Sequence, residues 1–207
     1  MPDSTAVASP PAVAAGGEGP ERRARHLPGE EGLWVFIFGD MTVFAVLFAV
    51  YLDARHRDGG RFLRQGAELS PTFGALNTVL LLCSSLFVVL ALRSLRAGRG
   101  STSSRWVIAA LTCGIGFVAV KAVEWGGHLA DGRTPATDLF WRYYYLLTGI
   151  HLFHLLLGLG ALWFLHRAAR GSDDGARRNR IAECCACYWH MVDALWVVLF
   201  PLFYVAR

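Results

Sequence analysis

The sequence predicts an all-α integral membrane protein built from five transmembrane helices in a bundle. Three observations carry that prediction. Five apolar runs recur along the chain, each close to the roughly 20 residues that a bilayer core requires. Most charged residues gather in short connections such as "RHRDGGR", "RAGRGSTSSR", "LADGRTPATD" and "RGSDDGARRNR". Hydrophobic residues make up 54% of the chain and mean hydropathy is +0.38, above an ordinary soluble domain. The net charge of +4 then belongs to arginines that flank membrane helices, and no nucleic-acid partner is expected.

Residues 1–25, "MPDSTAVASPPAVAAGGEGPERRAR", are dominated by Pro, Ala, Gly and Ser without apolar periodicity. They are expected to be a disordered tail ahead of a membrane domain at 26–207. No apolar segment follows a basic start there, so a cleaved signal peptide is not expected. The first helix, about 33–53, contains "WVFIFGDMTVFAVLF", with Asp40 alone in its middle. A carboxylate in hydrocarbon costs several kcal/mol, so Asp40 demands a partner or a proton. The second helix, about 71–95, opens with Pro71 in its first turn and carries Asn77, with Ser84 one heptad on.

In the third helix, about 106–129, Lys121, Glu124 and His128 fall on one face, where Lys121 and Glu124 can neutralise each other. The fourth, about 140–166, contains "TGIHLFHLLLG", which sets His151 and His154 three residues apart, with Thr148 and Gly158 on the same side. The fifth, about 184–206, contains "YWHMVDALW", where the His190 imidazole can reach the Asp193 carboxylate. Trp34, Trp189 and Trp196 are expected as interface-belt aromatics.

Five cysteines, Cys83, Cys113, Cys184, Cys185 and Cys187, lie in or beside apolar segments. Consecutive cysteines on a helix point about 100° apart, so "CCACYWH" reads as small packing residues rather than a metal site. Arginines number twelve across the tail and the second and fourth connections, against seven on the other side. The positive-inside rule therefore predicts a cytoplasmic N-terminus and an external C-terminus.

The buried polar residues admit several readings. Interhelical hydrogen bonds alone explain many of them, at about 0.6–2 kcal/mol each. A b-haem quinol oxidoreductase subunit would use His151 and His190 as axial ligands. Two such haems would need four histidines, and only His151, His154 and His190 lie clearly within helices. A small proton-coupled carrier would use Asp40, Glu124 and Asp193 as stepping stones, but the two-fold repeats common in carriers are not visible.

Five pieces together resemble subunit III of the haem-copper oxidases, the cytochrome c oxidase subunit III family. They are "WVFIFGDMTVFAVLFAVYL", "PTFGALNTVLLLCSS", "KAVEWGGHL", "RYYYLLTGIHLFHLLLG" and "YWHMVDALWVVLFPLFYV", in the family's order. The resemblance implies a five-helix form of a subunit that is itself non-catalytic. It implies no haem, copper or other metal in this chain, bound phospholipid, and contact with the catalytic subunits I and II. Haem and copper, or haem and non-haem iron, would sit in the partner. That enzyme would take electrons from cytochrome c or quinol, reduce oxygen and take up protons, in a bacterial plasma membrane. Asp40 stands where the cytochrome c oxidase branch supplies glutamate. Its "GDM" context is similar to NorE, an accessory protein of nitric oxide reductase. The resemblance carries Asp40, Asn77, Glu124, His151, His154, His190 and Asp193 over as structural and subunit-contact residues, with none catalytic. A protonated, hydrogen-bonded Asp40 at a helix contact is the expected arrangement.

Overall fold

The computed structural model describes residues 31–170 and 175–205, so the tail expected at 1–25 lies outside the described residues. Five helices are long and apolar enough to cross a bilayer. They are α1 (Glu31–Arg57), α3 (Pro71–Arg96), α4 (Gly100–Ala130), α5 (Leu139–Arg170) and α6 (Gly175–Phe200), the last continued by a π-helical turn (Pro201–Val205). Each runs past the expected apolar core, because the helical ladder satisfies backbone groups out to the charged residues at its ends. The short α2 (Gly59–Gly66) was not expected, its segment reading as a turn. Buried Phe62 explains it: the ring packs edge-on against Tyr51 and Phe140, drawing the connection back onto the bundle.

Sequential antiparallel packing arranges α3, α4, α5 and α6 in a ring. Ser84 Oγ donates to the Ala110 carbonyl at 3.0 Å between α3 and α4. Trp196 Nε1 donates to Thr78 Oγ1 at 3.0 Å, closing the ring between α6 and α3. The α3–α4 and α4–α5 connections start with glycines at positive φ, Gly98 (73°) and Gly132 (77°). In each, the next amide reaches back to the helix, Arg99 N to Ser94 O and Arg133 N to His128 O, both 2.9 Å. A side chain would be strained there, which is why glycine ends both helices.

Lipid is as apolar as the bundle interior, so the interior face is chosen by size rather than hydrophobicity. A Cβ on Gly158 would lie 2.8 Å from the Trp189 ring, and one on Gly114 would lie 3.0 Å from it. Those two glycines make the socket for the indole. Trp189 and Trp196, expected at the membrane interface, are fully buried at 0% and 1% exposure, Trp189 near the middle of α6 and Trp196 close to its last turn. Trp34 lies within the first turn of α1, its ring tilted against Phe38 with centroids 6.1 Å apart.

α1 lies outside the ring and reaches it mainly through long side chains. Phe36 meets Tyr188, Phe44 meets His154, and Tyr51 meets Phe203 with ring centroids 4.9 Å apart. At the end of α6, Pro201 has no N–H to donate, so the α ladder cannot continue through it. The chain widens into a π turn, and Phe203 and Tyr204 turn into the core. All five cysteines are free thiols.

Candidate functional site: polar joints between the helices

Asp40 on α1 is met by His154 on α5. Asp40 Oδ1 lies 3.0 Å from His154 Nε2. His154 Nδ1 lies 2.8 Å from the Ile150 carbonyl oxygen. A carbonyl only accepts, so Nδ1 carries the hydrogen. The Nε2–Oδ1 contact then needs one further proton. Either the carboxylic acid donates to a neutral imidazole, or an imidazolium donates to a carboxylate. Both leave the pair with no net charge, which answers how an acid is carried at that depth. Asp40 Oδ2 is buried without a hydrogen-bond partner among the described residues.

The second joint is built around Lys121 on α4, which is only 1% exposed. Its ammonium donates to Glu124 Oε2 at 2.8 Å, to the Tyr204 hydroxyl at 2.8 Å and to the Tyr144 hydroxyl at 3.1 Å. Those three acceptors use all three ammonium hydrogens. Tyr204 OH in turn donates to Glu124 Oε1 at 2.6 Å. The Lys121 charge also lies 4.9 Å and 5.1 Å from the Tyr144 and Trp196 ring centroids. A buried ion pair with both members hydrogen-bonded is the arrangement in which burial is tolerated.

Neither tyrosine was singled out in the sequence. Tyr144 carried a signal, being seven residues before His151 and so on the same face of α5. Tyr204 carried none, because its orientation follows from the π turn after Pro201. His128, expected with Lys121 and Glu124, turns toward the α4–α5 connection instead. Its Nδ1 accepts from Arg133 at 3.3 Å, and Arg133 pairs with Glu68 at 2.8 Å.

His151 is fully buried between Phe117 and Trp196, with ring centroids 5.6 and 5.3 Å away, and neither nitrogen has a hydrogen-bond partner among the described residues. Both amide atoms of Asn77 on α3 are likewise buried and unpartnered among the described residues. His190 differs from its expected pairing. Its Nδ1 is hydrogen-bonded to Ser85 Oγ on α3 at 2.8 Å, while Asp193 Oδ2 stays 3.9 Å away, too far for a hydrogen bond. The two histidines considered as haem ligands thus face different neighbours, His151 the aromatic interior and His190 the α3–α6 groove. Among the described residues, no three His, Cys, Asp or Glu side chains converge as a metal site.

The joints at Asp40, Lys121 and His190 thus tie one helix to another: α1 to α5, α4 to α5 and the end of α6, and α3 to α6. Comparison with known proteins follows the same frame. The family profile described as cytochrome c oxidase subunit III matches residues 29–206. Cytochrome c oxidase subunit 3 of Bacillus sp. (strain PS3) is 30% identical over 192 residues, covering 90% of each chain. Cytochrome bo(3) ubiquinol oxidase subunit 3 of Pseudomonas aeruginosa is 28% identical, covering 84% of this chain and 83% of that one. Heme-copper oxidase subunit I+III of Aeropyrum pernix is 27% identical over 84% of this chain, which spans 22% of that longer protein. With a family match across all five membrane-spanning helices, the chain belongs to the cytochrome c oxidase subunit III family.

Proposed function

We propose that this chain is the non-catalytic subunit III of a respiratory haem-copper oxidase. The observation that carries the reading is the family match over residues 29–206, which takes in every membrane span. The use of the intramembrane polar groups supports it. Asp40, His154, Lys121 and Glu124 are engaged in joints within the chain, as expected of a helix-fastening role. The Aeropyrum pernix relative, whose name joins subunits I and III in one protein, supports contact with a catalytic subunit I.

In this reading chemistry belongs to the partner. Electrons come from cytochrome c or quinol, oxygen is reduced at the partner's haem–copper centre, and this subunit sustains proton uptake and integrity during turnover. Subunit II is a further neighbour, and phospholipid fills the outer faces. The arginine distribution supports a cytoplasmic N-terminus in a bacterial plasma membrane, with a tail at 1–25 ahead of the membrane domain.

The test is an affinity pull-down of the tagged chain in mild detergent, with a reduced-minus-oxidised spectrum of the eluate. A large haem-bearing subunit should be recovered, and the chain stripped from it should be colourless. Haem that stays with this chain alone would overturn the proposal.

A further inference from the structure

Two buried polar side chains take no part in the joints between the helices. Asn77 on α3 and His151 on α5 are each 0% exposed, yet both amide atoms and both ring nitrogens lack a hydrogen-bond partner among the described residues. Such atoms inside a membrane bundle are costly unless something satisfies them.

The packing brings the two to one level of the bundle. Ser84 hydrogen-bonds to Ala110 between α3 and α4, and seven residues along each antiparallel helix come Asn77 and Phe117. Thr78, next to Asn77, receives the Trp196 Nε1 hydrogen bond from α6. Phe117 and Trp196 are also the two rings that flank His151, and their own centroids lie 4.8 Å apart. Asn77 and His151 therefore approach the axis from opposite corners of the ring, past the same two aromatic side chains.

α3 and α5 lie on a diagonal of that ring. Neighbouring helices pack about 8–10 Å apart, which sets diagonal ones about 11–14 Å apart. Polar groups that face each other across such a span without a direct bond are the setting in which water bridges. The nearby donors are already committed. Lys121, one turn from Phe117, spends its ammonium hydrogens on Glu124, Tyr144 and Tyr204, and Thr148 Oγ1 donates to the Tyr144 carbonyl. A neutral imidazole offers one donor and one acceptor, the carboxamide offers both kinds, and water complements each. A metal cation would find one carbonyl oxygen and one ring nitrogen, with the Lys121 charge only 5.1 Å from the Trp196 ring beside them. Water is the ligand that fits.

We propose that one or two ordered water molecules are bound here, bridging the Asn77 carboxamide to the His151 imidazole and joining α3 to α5 through the bundle axis. Neighbouring helices of the ring are tied by direct hydrogen bonds, and this diagonal is tied through solvent. The inference concerns this chain alone and holds whichever complex it joins.

The test is a density map of the full chain in its native complex, at a resolution that shows ordered water. A peak should lie within about 2.6–3.2 Å of both an Asn77 amide atom and a His151 ring nitrogen. A direct Asn77–His151 hydrogen bond, or no peak between them, overturns the proposal. Unfolding midpoints give a second reading. Asn77→Leu and His151→Phe each keep bulk, remove hydrogen-bonding atoms and strand the bridge, so each should lower the midpoint by about 2–12 °C. The double variant should lose less than the two losses added, because an apolar axis needs no water. Additive losses would count against a shared bridge and overturn it.

Discussion

His154 uses both ring nitrogens at once: Nδ1 donates to its own helix at Ile150, and Nε2 meets Asp40 across the α1–α5 contact at 3.0 Å. Asp40→Asn keeps a donor for Nε2 and should cost on the order of 1 kcal/mol. Asp40→Leu strands Nε2 without a partner and should cost about 1–3 kcal/mol. Thermal unfolding in one detergent should rank wild type above Asn above Leu. A Leu variant as stable as wild type would show that the joint contributes nothing.

The Lys121–Glu124 pair predicts strong coupling. Lys121→Met or Glu124→Leu alone leaves a buried charge without its counterion and should cost about 3–5 kcal/mol. The double variant should lose much less than the two single losses added together. A double-mutant cycle on unfolding midpoints reads this directly, and simple additivity would contradict it.

The Trp189 socket predicts a steric effect and its relief. Gly158→Ala brings a methyl to 2.8 Å from the indole and should cost about 1–3 kcal/mol. Adding Trp189→Phe to Gly158→Ala should recover part of that loss. Equal stability of Gly158→Ala and wild type would show that the two helices can slide apart freely.

Asp138, in the α4–α5 connection outside the membrane spans, gives a pH effect. Burial pushes its carboxyl up, but hydrogen bonds from Gln65, the Leu139 amide and Arg61 outweigh it and hold it below the usual 3.8. A lowered folded-state value means the stabilisation is present above the unfolded value. It is lost as pH falls below about 3.8 through the folded value. The midpoint gap between wild type and Asp138→Asn should therefore be constant near neutrality and narrow below pH 4. A gap that widens on acidification would reverse the sign.

The membrane spans were legible because hydrocarbon thickness dictates length and charge dictates where runs stop. Which face points inward was less legible. In lipid the exterior is as apolar as the core, so a tryptophan's position on a helix says little about burial. Trp189 is inside because Gly114 and Gly158 leave room for it, a relation spread over three helices. The Lys121–Glu124 pairing follows from spacing alone on α4. The Tyr204 contribution does not, since it depends on how Pro201 re-registers the last turn. α2 was missed because one aromatic, Phe62, decides a segment whose Gly and Asp residues signal a turn.

The Asp40–His154 joint also bears on biogenesis. The 113 residues between its members take roughly 6–23 s to synthesise at typical elongation rates. Through that interval α1 resides at the membrane with its acid unmatched, and only the fourth span to emerge brings the imidazole. The first helix is thus committed to the bilayer before the ring that seats it is complete, and its final seat is decided late, as α5 and then α6 arrive.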